Sequence, residues 1–170
     1  MKTFNQYNES IRDKMTPKTK EEMVKLFGDM TPDKKVANGY MYNILSLAKE
    51  GIKEGGNPKP FGNFLTNAIS RGYIDIVKFM VDNNIEDIHE YESSKVLLAI
   101  NSGNLELVNL LLNEYNCKVD VTMTECLSWV NKGYIDIVKL ILLKIPKLKV
   151  KLKVKAEKLE KSTIEIRKCI

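Results

Sequence analysis

Histidine and tryptophan each occur once in this chain of 170 residues, cysteine three times and proline five times, and each scarcity closes off a class of function. The single histidine, His89, stands among Glu86, Asp87 and Glu90 and reads as a surface residue, not a base or a metal ligand. Cys117, Cys126 and Cys169 are odd in number, far apart and in no zinc-binding spacing, so inert thiols are expected instead of a disulfide framework or a metal site. No apolar run approaches the roughly 18 residues of a membrane span. The opening MKTFNQYNES is too polar for a secretion signal, which predicts a cytoplasmic protein without membrane contact. Gly55-Gly56 lacks both the preceding strand and the following Lys-Ser/Thr of a phosphate loop. No cofactor and no catalytic residue is expected.

What the chain does contain is 44% apolar residues arranged in an internal repeat. GYIDIVKFMV at 72–81, GNLELVNLLL at 103–112 and GYIDIVKLIL at 133–142 are three copies of one pattern, with Gly72, Gly103 and Gly133 spaced 31 and 30 residues apart. Such a period marks stacked supersecondary units, each unable to bury its apolar face alone. Helical spacing puts Ile74, Val77, Met80 and Val81 on one face, then Leu105, Val108, Leu111 and Leu112, then Ile135, Val138, Ile141 and Leu142. Those faces are predicted core. FLTNAISRG, KVLLAINSG and ECLSWVNKG precede the turns and suit helices of two turns, each ended by a left-handed glycine. Ala68 and Ala99 allow close helix approach there, and Trp129 in the corresponding place reads as core or end-cap filler. Asp75, Glu106 and Asp136 recur at one repeat position and predict a solvated stripe, not an acid–base pair.

Residues 103–112 resemble the ankyrin-repeat pattern, a two-helix unit with Ala before a glycine turn and then Gly-x-Leu-Glu-Val-Val-Lys-Leu-Leu-Leu. An earlier degenerate copy, Ile44 to Pro58, is similar to the second helix and closing turn of that family, with Asn43 in the place of the turn glycine. The resemblance covers residues 32–145 and implies an all-α solenoid of stacked antiparallel helix pairs. The family's Thr-Pro-Leu-His opening is replaced by Asn63-Phe64-Leu65-Thr66, Ser94-Lys95-Val96-Leu97 and Thr124-Glu125-Cys126-Leu127. Asn63, Ser94 and Thr124 are expected to cap the first helix of each pair.

Before the repeats, Thr16-Pro17 and Thr31-Pro32 read as helix starts, and Thr19 and Glu22 have capping-box spacing. A helix over about 19–27 with Met23, Leu26 and Phe27 apolar and Gly28 as its stop is the expected N-terminal cap, within a segment 16–31 that follows a polar arm at 1–15. Residues 1–10 also resemble the capsid-targeting leader of internal head proteins of tailed bacteriophages, with Glu9 at the cleavage position and Tyr7 in place of the usual aliphatic residue. That resemblance implies a protein packaged in the virion, trimmed after Glu9 and delivered to the host cytoplasm, where it binds and inhibits a host protein. From Lys144 onward ten Lys or Arg face Glu157, Glu160 and Glu165, a net +7 that leaves the rest of the chain at −2. Lysine alternates there with Ile145, Leu148, Val150, Leu152 and Val154, so period two predicts an extended segment and then a basic element over 146–170 that closes the stack.

Two binding functions compete. In the first, the resemblance points to a protein partner held by Ser70, Arg71, Asn101, Ser102, Asn131 and Lys132 before the turns and by Glu86, His89, Tyr91 and Asp120 in the loops, with Tyr91 the strongest single candidate. In the alternative, Lys149, Lys151, Lys153 and Lys155 neutralise nucleic-acid phosphates without sequence preference, because no aromatic or arginine is interleaved to read bases.

Overall fold

A computed structural model describes residues 19–150; the leader-like arm, Thr16-Pro17 and the lysines beyond Val150 lie outside the described residues. Those described form two compact units. One runs to Ala68 and resumes over Tyr73–Asp87; the other takes Ile69–Gly72 and continues from Ile88. Every regular element among the described residues is helical, and no helix there is long and apolar enough to cross a membrane.

Helix α1 (Lys20–Phe27) starts where the capping signal predicts, with Thr19 Oγ1 accepting from the Glu22 N–H at 3.2 Å, and stops at Gly28 with φ +66°. Only Met23 of its apolar face is buried, against Ile44 and Leu47, whereas Leu26 and Phe27 are exposed. Thr31 caps α2 (Pro32–Met41) with proline at the first helical position, and α3 (Leu45–Lys53) returns beside it. These two helices nearly touch. A Cβ on Gly39 would stand 2.5 Å from the Ala48 backbone nitrogen, so only glycine fits at that crossing. Gly39 occupies the repeat position of Ala68, Ala99 and Trp129.

The repeat is written in the backbone dihedrals. Helix α4 (Phe64–Arg71) leads into α5 (Ile74–Asp82), α6 (Glu92–Asn101) into α7 (Leu105–Asn109), and α8 (Met123–Asn131) into α9 (Ile135–Lys144). The turn inside each pair carries one left-handed residue: Asn43, Gly72, Gly103 and Gly133 at φ +58°, +72°, +72° and +83°. The following N–H reaches back to close the helix, from Ile44 to the Gly39 carbonyl, Tyr73 to Ala68 and Tyr134 to Trp129, at 2.8 to 2.9 Å. In the third pair the Ser102 hydroxyl instead donates to the Ala99 carbonyl at 2.7 Å. A second left-handed residue ends each of the first three second helices: Gly55, Asn84 and Asn116. Local chemistry thus repeats at intervals of about 30 residues.

One copy is longer. Twelve residues separate Asn43 from Gly55 and Gly72 from Asn84, but thirteen separate Gly103 from Asn116. The extra residue is absorbed as a π-helical turn, Leu110–Glu114, in which Tyr115 N–H bonds to the Leu110 carbonyl at 3.0 Å. Widening the helix there buries Leu110, Leu111 and Leu112 in succession.

Each of the first three pairs is also clasped at its open end, a feature that sequence reasoning missed. The loop after the second helix returns to the first turn of the first helix. Asn57 N–H donates to Asp33 Oδ1 at 2.7 Å, Leu65 N–H to Glu86 Oε1 at 3.4 Å, and the Lys118 N–H to the Glu92 carboxylate. Residues 57, 86 and 118 each stand two positions past the left-handed cap.

The structure revises several expected caps and core positions. Ser94 and Thr124 lie inside their helices; α6 starts after Tyr91 and α8 after Thr122, whose hydroxyl forms a capping box with Glu125. For α4 it is Glu86, across the chain, whose side chain satisfies a first-turn N–H, while Asn63 contributes its carbonyl to Asn67. Ile76, Leu107 and Ile137 are buried though absent from the predicted faces, and Leu105 is exposed. The second helices bury more than one narrow stripe because they pack on several sides; in the second unit α7 touches both α6 and α9. Residues 146–150 are helical, not extended, with Leu148 buried and its N–H bonded to the Ile145 carbonyl at 3.0 Å. Pro146 at a helix start and an apolar site for Leu148 outweigh the lysine alternation.

Candidate functional site

The second unit brings three turns into one row. A Cβ on Gly72 would lie 3.0 Å from Asn104 Nδ2, and one on Gly103 would lie 3.1 Å from the Tyr134 ring. Gly72 and Gly103 therefore each abut the residue that follows the glycine of the next turn, and a side chain at either would crowd that neighbour. Ser70, Arg71, Asn101, Ser102, Asn131 and Lys132 flank these turns, and all six are exposed. Helix ends force this outcome, since the residues just before a left-handed cap lie beyond the apolar stripe. Asp75, Glu106 and Asp136 are likewise exposed, and Asp136 pairs with Lys139 of its own helix, at 3.1 Å.

The row is fixed from below. Trp129 is buried, and its indole N–H donates to Asn101 Oδ1 at 3.2 Å, so Asn101 is both a surface residue and a hydrogen-bonded part of the packing. Trp129 is core, as its sequence position predicts.

The loop residues divide by role. Glu86 is half-buried, and its carboxylate also serves the clasp onto α4. Asp120 is exposed, and its backbone N–H donates to Ser93 Oγ at 3.0 Å, which ties its loop to the first turn of α6. Tyr91 is 77% exposed and left-handed at φ +52°, an uncommon state for an aromatic residue. The bend is held by its neighbours: the Lys95 N–H bonds to the Tyr91 carbonyl at 3.2 Å, while the buried Lys95 ammonium donates to the Glu90 carbonyl. Strain maintained at an exposed aromatic presents its ring outward.

His89 is exposed yet engaged. Its Nδ1 lies 3.0 Å from Glu92 Oε2, and Glu92 also accepts from the Lys118 N–H. The His89 hydrogen bond first, and the Lys118 N–H after it, hold the Glu92 carboxyl below its usual range. Cys117, buried and not in a disulfide, completes a group in which the three ligand-type atoms lie within 4.8 Å of one another. The sequence offered no signal for this group, because Cys117 is remote from His89 along the chain and joins it only through the third clasp. Of the lysines proposed for nucleic acid, Lys149 is half-buried, and Lys151, Lys153 and Lys155 lie outside the described residues.

Comparison with family models, with curated proteins and with solved structures finds no match.

Proposed function

We propose that the chain is an ankyrin-like repeat scaffold that binds another protein through its turn row and the Tyr91 loop, and that it performs no chemistry there. The observation that carries this reading is the periodic return of left-handed residues at both ends of the helix pairs. That pattern is a property of repeating two-helix units, and such units serve chiefly as surfaces. Support comes from the six exposed pre-turn residues, whose side chains mix two cations, two amides and two hydroxyls. An exposed aromatic on a rigid bend is the type of residue that dominates binding energy at protein interfaces.

The phage-leader resemblance extends the proposal to a host protein as the partner. The test is affinity capture from bacterial extract with the parent chain and with an Arg71→Glu, Lys132→Glu double variant. A stoichiometric protein retained by the parent at moderate salt and lost from the variant supports the reading. Retention of no protein by the parent, or equal retention by both, defeats it.

A further inference from the structure

We propose that His89, Glu92 and Cys117 form a binding site for one zinc ion, which staples the loop before α6 to the loop after the π-helical turn. All three residues belong to the second unit. Their ligand atoms lie within 4.8 Å of one another, and His89 Nδ1 and Glu92 Oε2 are 3.0 Å apart. Tetrahedral zinc with bonds of about 2.0 to 2.3 Å sets its ligands roughly 3.3 to 3.8 Å apart. The His–Glu pair needs only to exchange the hydrogen between them for the ion, and the exposed imidazole ring can turn to close the remaining gap to sulfur.

The donor set selects the metal. A thiolate and an imidazole favour zinc over magnesium or calcium, and the carboxylate adds a third, anionic ligand. Glu92 is already oriented by the Lys118 N–H, the outer-shell support such ligands need. The solvent side, where the His89 side chain is 54% exposed, gives the ion its entry and leaves room for water as fourth ligand. On binding, the Cys117 thiol gives its proton to solvent, and the imidazole coordinates as the neutral ring that keeps its one hydrogen on the nitrogen away from the metal.

The competing view of Cys117 is as simple core filler, since it stands where Ile85 stands in the preceding copy, one residue past the left-handed cap. Filler needs no histidine and carboxylate aimed at the same point. Because Tyr91 lies between His89 and Glu92, a bound ion would also hold the bend that presents its ring.

The test is titration of the full chain with Co²⁺, followed by Zn²⁺ displacement. One site with a thiolate-to-cobalt charge-transfer band, abolished in Cys117→Ser and kept in Cys169→Ser, is expected. His89→Ala, at an exposed position that leaves the fold intact by circular dichroism, should weaken binding by about tenfold or more, as should Glu92→Gln. The thermal midpoint of the parent should rise with zinc concentration while that of His89→Ala does not. A band that survives Cys117→Ser, an absent band in the parent, or an affinity unchanged by His89→Ala overturns the site.

Discussion

The indole N–H of Trp129 donates to Asn101 Oδ1 at 3.2 Å, so the tryptophan of one helix pair is hydrogen-bonded to the end of the first helix in the pair before it. Where the earlier copies place Gly39, Ala68 and Ala99, this copy fills the space with a ring and anchors the ring's one polar atom. Trp129→Ala should cost about 3 to 5 kcal/mol in urea unfolding. Trp129→Phe keeps most of the apolar volume and loses one hydrogen bond whose acceptor can turn to water, so about 1 kcal/mol is expected. A smaller loss for alanine than for phenylalanine would contradict this packing.

The left-handed turns differ in what surrounds them, and that difference can be measured. A Cβ on Gly133 meets nothing within 4 Å, so Gly133→Ala should carry only the backbone penalty of about 1 to 2 kcal/mol. Gly103→Ala adds a 3.1 Å approach to the Tyr134 ring and should cost more. Gly39→Ala faces the Ala48 backbone, which cannot give way, and should be the worst of the three despite its ordinary helical φ. Chemical denaturation of the three variants would establish the order.

Tyr91→Gly separates stability from binding. Glycine adopts φ near +52° without penalty, so the variant should be as stable as the parent or more so by about 1 kcal/mol. If the exposed ring anchors a partner, the same variant should lose affinity by about tenfold or more, the equivalent of over 1.4 kcal/mol. Calorimetry on folding and on binding reads the two effects independently.

Alkaline pH should unfold the protein partly through Tyr40. Its hydroxyl donates to the Pro58 carbonyl at 3.0 Å, and burial first, then the negative charge of Glu86, pushes its ionisation up to about 12. An unfolded chain releases this proton near 10, so the native state binds more protons between the two values. Stability contributed by Tyr40 is thus whole below pH 10 and is lost as pH climbs through 12. Tyr40→Phe should flatten this decline in pH-dependent urea melts.

Acid acts on the opposite end of the scale. The Thr122 N–H and hydroxyl hold the Glu125 carboxyl below its ordinary value of 4.5, so the capping box stabilises above that pH and fades as pH falls through the lowered native value. Thr122→Ala should cost about 1 kcal/mol at neutral pH and less in acid. A cost that grows on acidification would show that the box is not what stabilises α8.

Much of the architecture was legible in consecutive residues. The glycines at 72, 103 and 133 announced left-handed turns, Asn43 was readable as their degenerate equivalent, and Thr19 and Thr31 marked true helix starts. The exposure of the six pre-turn residues followed from the same pattern. Cap positions slipped where a serine or threonine competed with an earlier start, as at Ser94 and Thr124. At 146–150, side-chain alternation lost to the need of Leu148 for an apolar site.

By itself the sequence determined the alternation of helix and left-handed turn, because dihedral preference, capping and amphipathic period act between residues a few positions apart. Tertiary structure alone decided that Glu86 serves a clasp, that Asn101 meets Trp129, and that Cys117 comes to face His89 and Glu92. Those relationships depend on where a loop returns after a whole helix has been laid down, and one residue more or less, as in the π-helical turn, changes which side chains arrive together.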